Sequence, residues 1–270
     1  MTSKIKVHTV PQLTLLVTRL IQDKGEDVDL NHLDVSEIPN FHGLFAGVHH
    51  VRGKFCGDIS QWDVSNAVSL MHMFKGNETF KGDLSRWDVG RVCNFVGMFE
   101  DSVFDGDVSG WNVQSGKVFV MMFRQSLFNQ SLENWRFSED KNIDMSCMFE
   151  GALFDRPLDS WNLKSVTNTE KMFKDSVFNQ DLSAWSLPSL RDANQMFAYA
   201  KFNQGIFEDW GNANLEAQDV FKGSGWAKKL GVQSPSVAQV IGAQRSALYQ
   251  NILNESLPLQ ETPTMNKKRL

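Results

Sequence analysis

Phe80-Lys81-Gly82-Asp83-Leu84-Ser85-Arg86-Trp87-Asp88-Val89, followed by a variable link and Gly97-Met98-Phe99, is the phrase that decides how this 270-residue chain folds. Its pieces recur. Tryptophans stand at Trp62, Trp87, Trp111, Trp135, Trp161, Trp185 and Trp210, a step of 24 to 26 residues throughout. The leading phenylalanines (Phe55, Phe80, Phe104, Phe128, Phe154, Phe178, Phe202) keep that step, as do Met-Phe pairs ending at Phe74, Phe99, Phe123, Phe149, Phe173 and Phe197. A period between about 20 and 50 residues predicts a solenoid, because a unit that short buries its apolar side only by stacking on its neighbours.

Each unit divides into parts. The Asp-Leu-Ser segment carries one apolar residue (Ile59, Leu84, Val108, Leu132, Leu158, Leu182, Ile206) and suits a very short parallel strand. Tryptophan and the apolar residue after it turn the corner. A Ser/Asn/Thr link then leads to a single helical or 3-10 turn bearing Met-Phe. The expected class is an α/β repeat solenoid, a right-handed coil of short parallel strands and short helical turns. About six large apolar side chains per unit, at roughly 1.5–3 kcal/mol each, offset the ordering of the repeat only when both flanks are covered. One repeat alone is not expected to fold.

The ends differ from the middle. Residues 1–27 read as a cap: a short strand around Ile5 and Val7, then from Pro11 an amphipathic helix with Leu13, Leu16, Val17 and Leu20 at helical spacing and Gly25 as its stop. A membrane-surface helix would need more cations than Arg19 and Lys24. Residues 28–223 hold eight repeats. The first is atypical, with Leu33 in place of tryptophan and Leu44-Phe45 in place of Met-Phe, and its surplus length, Ala46–Lys54, predicts a protruding loop. Residues 224–254 predict a C-terminal helical cap bearing Val237, Val240, Ile241, Leu248 and Ile252, and 255–270 a flexible tail.

Composition narrows the function classes. The chain is 41% apolar and 22% charged, as a folded soluble protein is. Its net charge of −5 comes without a basic stripe, so nucleic acid is not an expected partner. Cys56, Cys93 and Cys147 are odd in number and fall at three different repeat positions, which argues against a disulfide framework and for a reducing compartment. No run of 18 apolar residues and no secretory leader is present, so the expected location is cytoplasmic, with export by a signal-less route as the exception.

The phrases Phe55-Cys56-Gly57-Asp58-Ile59-Ser60-Gln61-Trp62-Asp63-Val64-Ser65-Asn66 and Met73-Phe74-Lys75-Gly76 resemble the BspA-like leucine-rich-repeat family. More narrowly they resemble its mycoplasma-lipoprotein type, whose usual form is FNGDISxWDVSNVTNMxxMFxxA. The likeness covers residues 29–223. It implies an irregular leucine-rich-repeat solenoid and, from the family's distribution, a bacterial or phage accessory protein or an exported surface protein. It implies no catalytic residues, because the shared motif is a packing motif.

Candidate chemistry is sparse. Asp58, Asp83, Asp107 and Asp181, with serine two residues on, form a column that is either a polar binding strip or a set of turn caps bonding their own backbone. His42, His49 and His50 gather near the insert, where zinc would need three or four placed ligands and a solvated loop needs none. The unit ending at Phe123 departs from the others. Val120 and Met121 stand where later units have Glu170-Lys171 or Asn194-Gln195, and Met71 and Val96 match them in the preceding coils, with Val118 beside them. Such an apolar column marks a partner site unless the coil or the N-terminal cap buries it. No GxSxG, P-loop or HExxH occurs.

The sequence therefore points to a non-catalytic, cofactor-free protein-interaction module that binds and modulates, by inhibition in the first instance, another protein. The predicted contacts are Met71, Val96, Val118, Val120, Met121, His49, His50, Asp83 and Asp107. No membrane is involved, and self-association through the solenoid ends stays open. The alternative is an exported surface or adhesion protein.

Overall fold

A computed structural model describes residues 4–210 and 215–256. Successive repeats lie side by side as rungs, and two columns of phenyl rings run between them. The Met-Phe rings from Phe45 to Phe221 stack face to face at 5.5–5.7 Å. The leading phenylalanines from Phe55 to Phe202 step by 5.9–6.4 Å. Where one repeat runs into the next the two columns meet, each Met-Phe ring lying 4.1–4.3 Å from the leading phenylalanine that follows it. Met73, Met98, Met122, Met148, Met172 and Met196 are buried alongside. A ring thus touches both neighbouring repeats, which is why a unit of this length has no core by itself.

The tryptophans bind one rung to the next. Trp87 Nε1 donates to Ile59 O at 3.1 Å, Trp111 to Leu84 O at 3.0 Å and Trp135 to Val108 O at 2.9 Å. Trp62, Trp161 and Trp185 do the same to Leu30, Leu132 and Leu158. A buried indole needs an acceptor for its N–H. Here the acceptor is the carbonyl of the apolar residue one repeat earlier, so phenylalanine could fill the space but not tie the coils. Trp210 departs from the pattern: it is half-buried and donates to Phe207 O within its own repeat.

The backbone pairing lies elsewhere than the sequence suggests. Parallel contacts run through the link before Met-Phe, joining Asn40, Ser69, Asn94, Val118, Asp144, Asn168, Asp192 and Glu216 in turn. At the Asp-Leu-Ser segments one pair is formed, Leu182 with Ile206. The reason is local. Asp58, Asp83, Asp107 and Asp181 each accept the N–H of the serine two residues on, at 2.7–2.9 Å, closing a turn where a strand was expected.

Nor is the Met-Phe segment helical. The residue before Met or its equivalent has φ between 53° and 57° at His72, Gly97, Met121, Cys147, Lys171, Gln195 and Asp219. That left-handed residue turns alternate N–H groups outward. Phe95, Gly97, Phe99 and Asp101 donate to Val118, Val120, Met122 and Arg124 of the next rung at 2.8–2.9 Å. A helix would have kept those donors inside its own turn.

At the N-terminal end β1 (Ile5–Lys6) pairs in parallel with β2 (Leu33–Asp34). The helix α1 (Val10–Lys24) is capped by Thr9 Oγ1 on Gln12 N and buries Leu13, Val17 and Ile21. The insert is only partly a projecting loop. Val48 and His50 are exposed, but a 3-10 turn at Arg52–Lys54 folds back, and a Cβ on Gly53 would lie 2.7 Å from Ala46 O. In mid-chain β3 (Ile143–Asp144) pairs with β4 (Val166–Asn168). Past the last rung come α2 (Gly225–Leu230) and α3 (Val237–Ser256). Helix α3 docks through buried Val240, Gln244 on the backbone of Ile206, and Arg245 on Glu208. It runs two residues into the expected tail; the rest of that tail lies outside the described residues. Among the described residues no helix is long and apolar enough to cross a membrane.

The three thiols are free and differ in exposure. Burial, with Glu150 next in importance, pushes the Cys147 thiol up to about 12. Burial and then Asp27 and Glu26 also raise the Cys56 thiol, but Cys56 is exposed to reagent. Because the thiolate is the reactive form, a maleimide at pH 7.5 should label Cys56 within minutes and Cys147 only after denaturant is added. Mass spectrometry of the labelled peptides checks this, and early labelling of Cys147 would contradict its placement.

Candidate interaction face

The side chains two residues before each Met or its equivalent form one column across the rungs: His42, Met71, Val96, Val120, then Ser146, Glu170, Asn194, Gln218. His72 N donates to Val96 O and Gly97 N to Val120 O, so Met71, Val96 and Val120 are held on adjacent rungs. Val118 is the pairing residue between Asn94 and Asp144, and Met121 is one of the left-handed residues. All five are half-buried, each shielded by the rungs on either side. Met71, Val96 and Val120 thus share one column, with Val118 two residues before Val120 and Met121 directly after it.

The other predicted residues are placed differently. His49 is half-buried with its ring 3.9 Å from where a Cβ on Gly43 would sit, near the head of the left-handed column, while His50 is exposed. Burial and then Arg52 hold His49 below its ordinary value. His42 and His72 lie with ring centroids 5.8 Å apart. Among the described residues no three His, Cys, Asp or Glu side chains are placed to hold a metal ion. Asp83 and Asp107 belong to the turns before tryptophan, where they accept from Ser85 N and Ser109 N. The bond from Ser85 holds Asp83 below the usual carboxylate range.

A row of charged side chains crosses the same rungs. The residue after Met-Phe alternates in sign over five rungs: Lys75, Glu100, Arg124, Glu150, Lys174. Glu100, only 2% exposed, has Lys75 Nζ at 2.9 Å on one side and Arg124 Nη1 at 2.9 Å on the other. Arg124 Nε reaches Glu150 at 3.0 Å, and Lys174 lies 3.6 Å from Glu150. The next column packs by alternation of bulk. His72 occupies the space beside Gly97, where a Cβ would lie 2.4 Å from Nδ1, and burial followed by Lys75 holds this imidazole below its ordinary value.

Residues 19–135 and 120–210 match the family described as Mycoplasma protein of unknown function, DUF285. The chain belongs to that family. No curated protein and no solved structure matches it. The family match ends before α2 and α3, so it covers part of α1 and the repeats through Trp210, while Glu216, Gln218, Asp219 and Phe221 of the last rung lie beyond it.

A second column in the family repeats has two members more exposed than any of the predicted one, with Val103 and Val177 half-buried at its ends. The residue before the leading Phe is Thr79 in one repeat, then Val103, Leu127, Leu153 and Val177, then Lys201. Leu127 and Leu153 are 48% and 47% exposed. The signal was present in the sequence, but reading it required knowing that this position faces outward while its Phe neighbour faces in.

Proposed function

We propose that this member of the family is a non-catalytic protein-interaction module: a right-handed solenoid of irregular leucine-rich-repeat type, carried as a bacterial or phage accessory protein, that binds and inhibits a partner protein. The observation that supports this reading most is the run of Met71, Val96 and Val120 on three adjacent rungs, hydrogen-bonded in register, at a position that is polar in the four rungs that follow. A rigid backbone presents such side chains with little ordering cost on binding, and methionine adapts to a partner's shape. The charged residues nearby, Lys75, Glu100, Arg124 and Glu150, pair with one another across the rungs.

The test is comparative capture. Tagged wild-type protein should retain one dominant partner from host lysate, and Val120→Asp with Met121→Lys should lose it with an unchanged circular dichroism spectrum. Lysine is already accommodated at the Met121 position one repeat pair later, at Lys171. Retention of the partner by the folded double variant would reject this face.

A further inference from the structure

The edge formed by Val103, Leu127, Leu153 and Val177 lies outside the face just proposed. It too is tied from rung to rung, by longer bonds. Their N–H groups donate to Asn77, Ser102, Ser126 and Ala152 of the preceding rung, at 3.2–3.4 Å. Beneath it Ser102, Ser126 and Ser176 return their hydroxyls to the backbone at 2.7–2.9 Å, so the corner that carries the apolar side chains is closed by its own bonds. The flanking repeats show what a solvated edge takes at this position: Thr79 before the run and Lys201 after it. Four apolar residues in succession are therefore not demanded by the fold.

What surrounds the stripe selects its occupant. Two residues before it stand Asp101, Gln125, Gly151 and Asp175; two residues after it stand Asp105, Asn129, Asp155 and Asn179. These flanking columns hold four carboxylates and no cation of their own. Lys174 Nζ lies 3.5 Å from Asp175, and Asp105 and Asp155 also accept the N–H of Asn129 and Asn179 while keeping their charge at the rim. An open cleft of about 340 Å³, lined by Val103, Leu127, Asp105, Gly106 and Lys81, adjoins one end. The spacing adds a second constraint. Phe104, Phe128, Phe154 and Phe178, each next in the chain to a stripe residue, are 6.2–6.4 Å apart. Side chains at i and i+4 of an α-helix are about 6 Å apart along its axis. A helix laid along the stripe can therefore place one apolar side chain per rung.

We propose that this edge docks an amphipathic α-helix of another protein, apolar on the contacting side and bearing lysine or arginine on both flanks. Apolar anchors fill the spaces between Val103, Leu127, Leu153 and Val177, and the cations meet Asp101, Asp105, Asp155 and Asp175 at the rim. The apolar contact supplies affinity, and the rim charges supply orientation and a salt-dependent association rate.

The probe is a fluorescein-labelled synthetic helix with leucine at i, i+4 and i+8 and lysine on both flanks, beside a glutamate-flanked counterpart, read by anisotropy against the full chain. The lysine peptide should bind the wild type and the glutamate peptide should not. Leu127→Thr with Leu153→Thr, copying the side chain at Thr79, should weaken binding about tenfold or more while the protein stays folded. Asp101→Asn with Asp175→Asn should weaken it less and flatten its salt dependence. Val120→Asp with Met121→Lys should leave it unchanged, which separates this edge from the face proposed above. Failure of the lysine peptide to bind, equal binding of the glutamate peptide, or undiminished binding by the threonine variant overturns the proposal. So does sedimentation showing a wild-type dimer that the threonine variant abolishes, since a second copy would then be the occupant.

Discussion

Phe123→Ala should destabilise the chain by about 3–5 kcal/mol, the range for removing a fully buried aromatic side chain. Phe123 stacks at 5.6 Å on Phe99, 4.1 Å on Phe128 and 5.7 Å on Phe149, with Trp135 at 6.4 Å. It sits mid-array, so the cavity interrupts both ring columns where they couple the two halves. In a one-dimensional stack, stability is close to a sum of repeat terms and nearest-neighbour terms, and a weakened central interface lets the halves unfold separately. Urea titration followed by tryptophan fluorescence should show a lower midpoint and a broadened or two-step transition. Phe221→Ala, in the last rung, should cost less, because that ring has the stacked Phe197 and the edge-on Trp210 as its ring partners. A central variant with a wild-type midpoint and slope would show that the rings are not the coupling between rungs.

Glu100→Gln should cost about 3 kcal/mol, the lower end of the range for removing one partner of a buried ion pair. The lower end applies because Lys75 and Arg124 keep about a third of their side-chain surface in water, 38% and 33%. The sign of the salt response is the sharper observation. In the wild type, added salt screens attraction between Lys75, Glu100 and Arg124; in the variant it screens repulsion between the two cations left flanking a neutral amide. Thermal melts from low to high sodium chloride should therefore rise for Glu100→Gln relative to the wild type. Parallel salt curves for both proteins would mean that the alternating charges act independently of one another.

How much of this was legible beforehand follows from what each residue type can signal. Large apolar residues recurring on one beat point to the core, and Met98, Phe99, Phe104 and Trp111 are buried as that reasoning expects. The turn-capping alternative for Asp83 and Asp107 is the one the structure bears out. The strand was placed on the wrong segment because Asp-Leu-Ser has the composition of a strand only if its aspartate side chain is ignored. Once Asp83 Oδ1 takes Ser85 N, that backbone donor is spent locally. The helical turn at Met-Phe failed for a different reason. Met121, Cys147, Lys171 and Gln195 are side chains that rarely mark a left-handed backbone, so nothing in their identity announced φ near 55°.

Amino-acid order alone established the repeat, its length, the family phrase and the residues that fill the interior, because periodicity and apolar burial are properties of a line of residues. Three-dimensional folding decided which neighbours the remaining positions meet. The sign-alternating row from Lys75 to Lys174 and the apolar edge from Val103 to Val177 each consist of residues roughly 25 apart in the chain, brought within contact only when rung lies on rung. Which way each such side chain points is set by the alternate inward and outward N–H groups of the Met-Phe turns, a backbone choice that residue identity does not encode by itself.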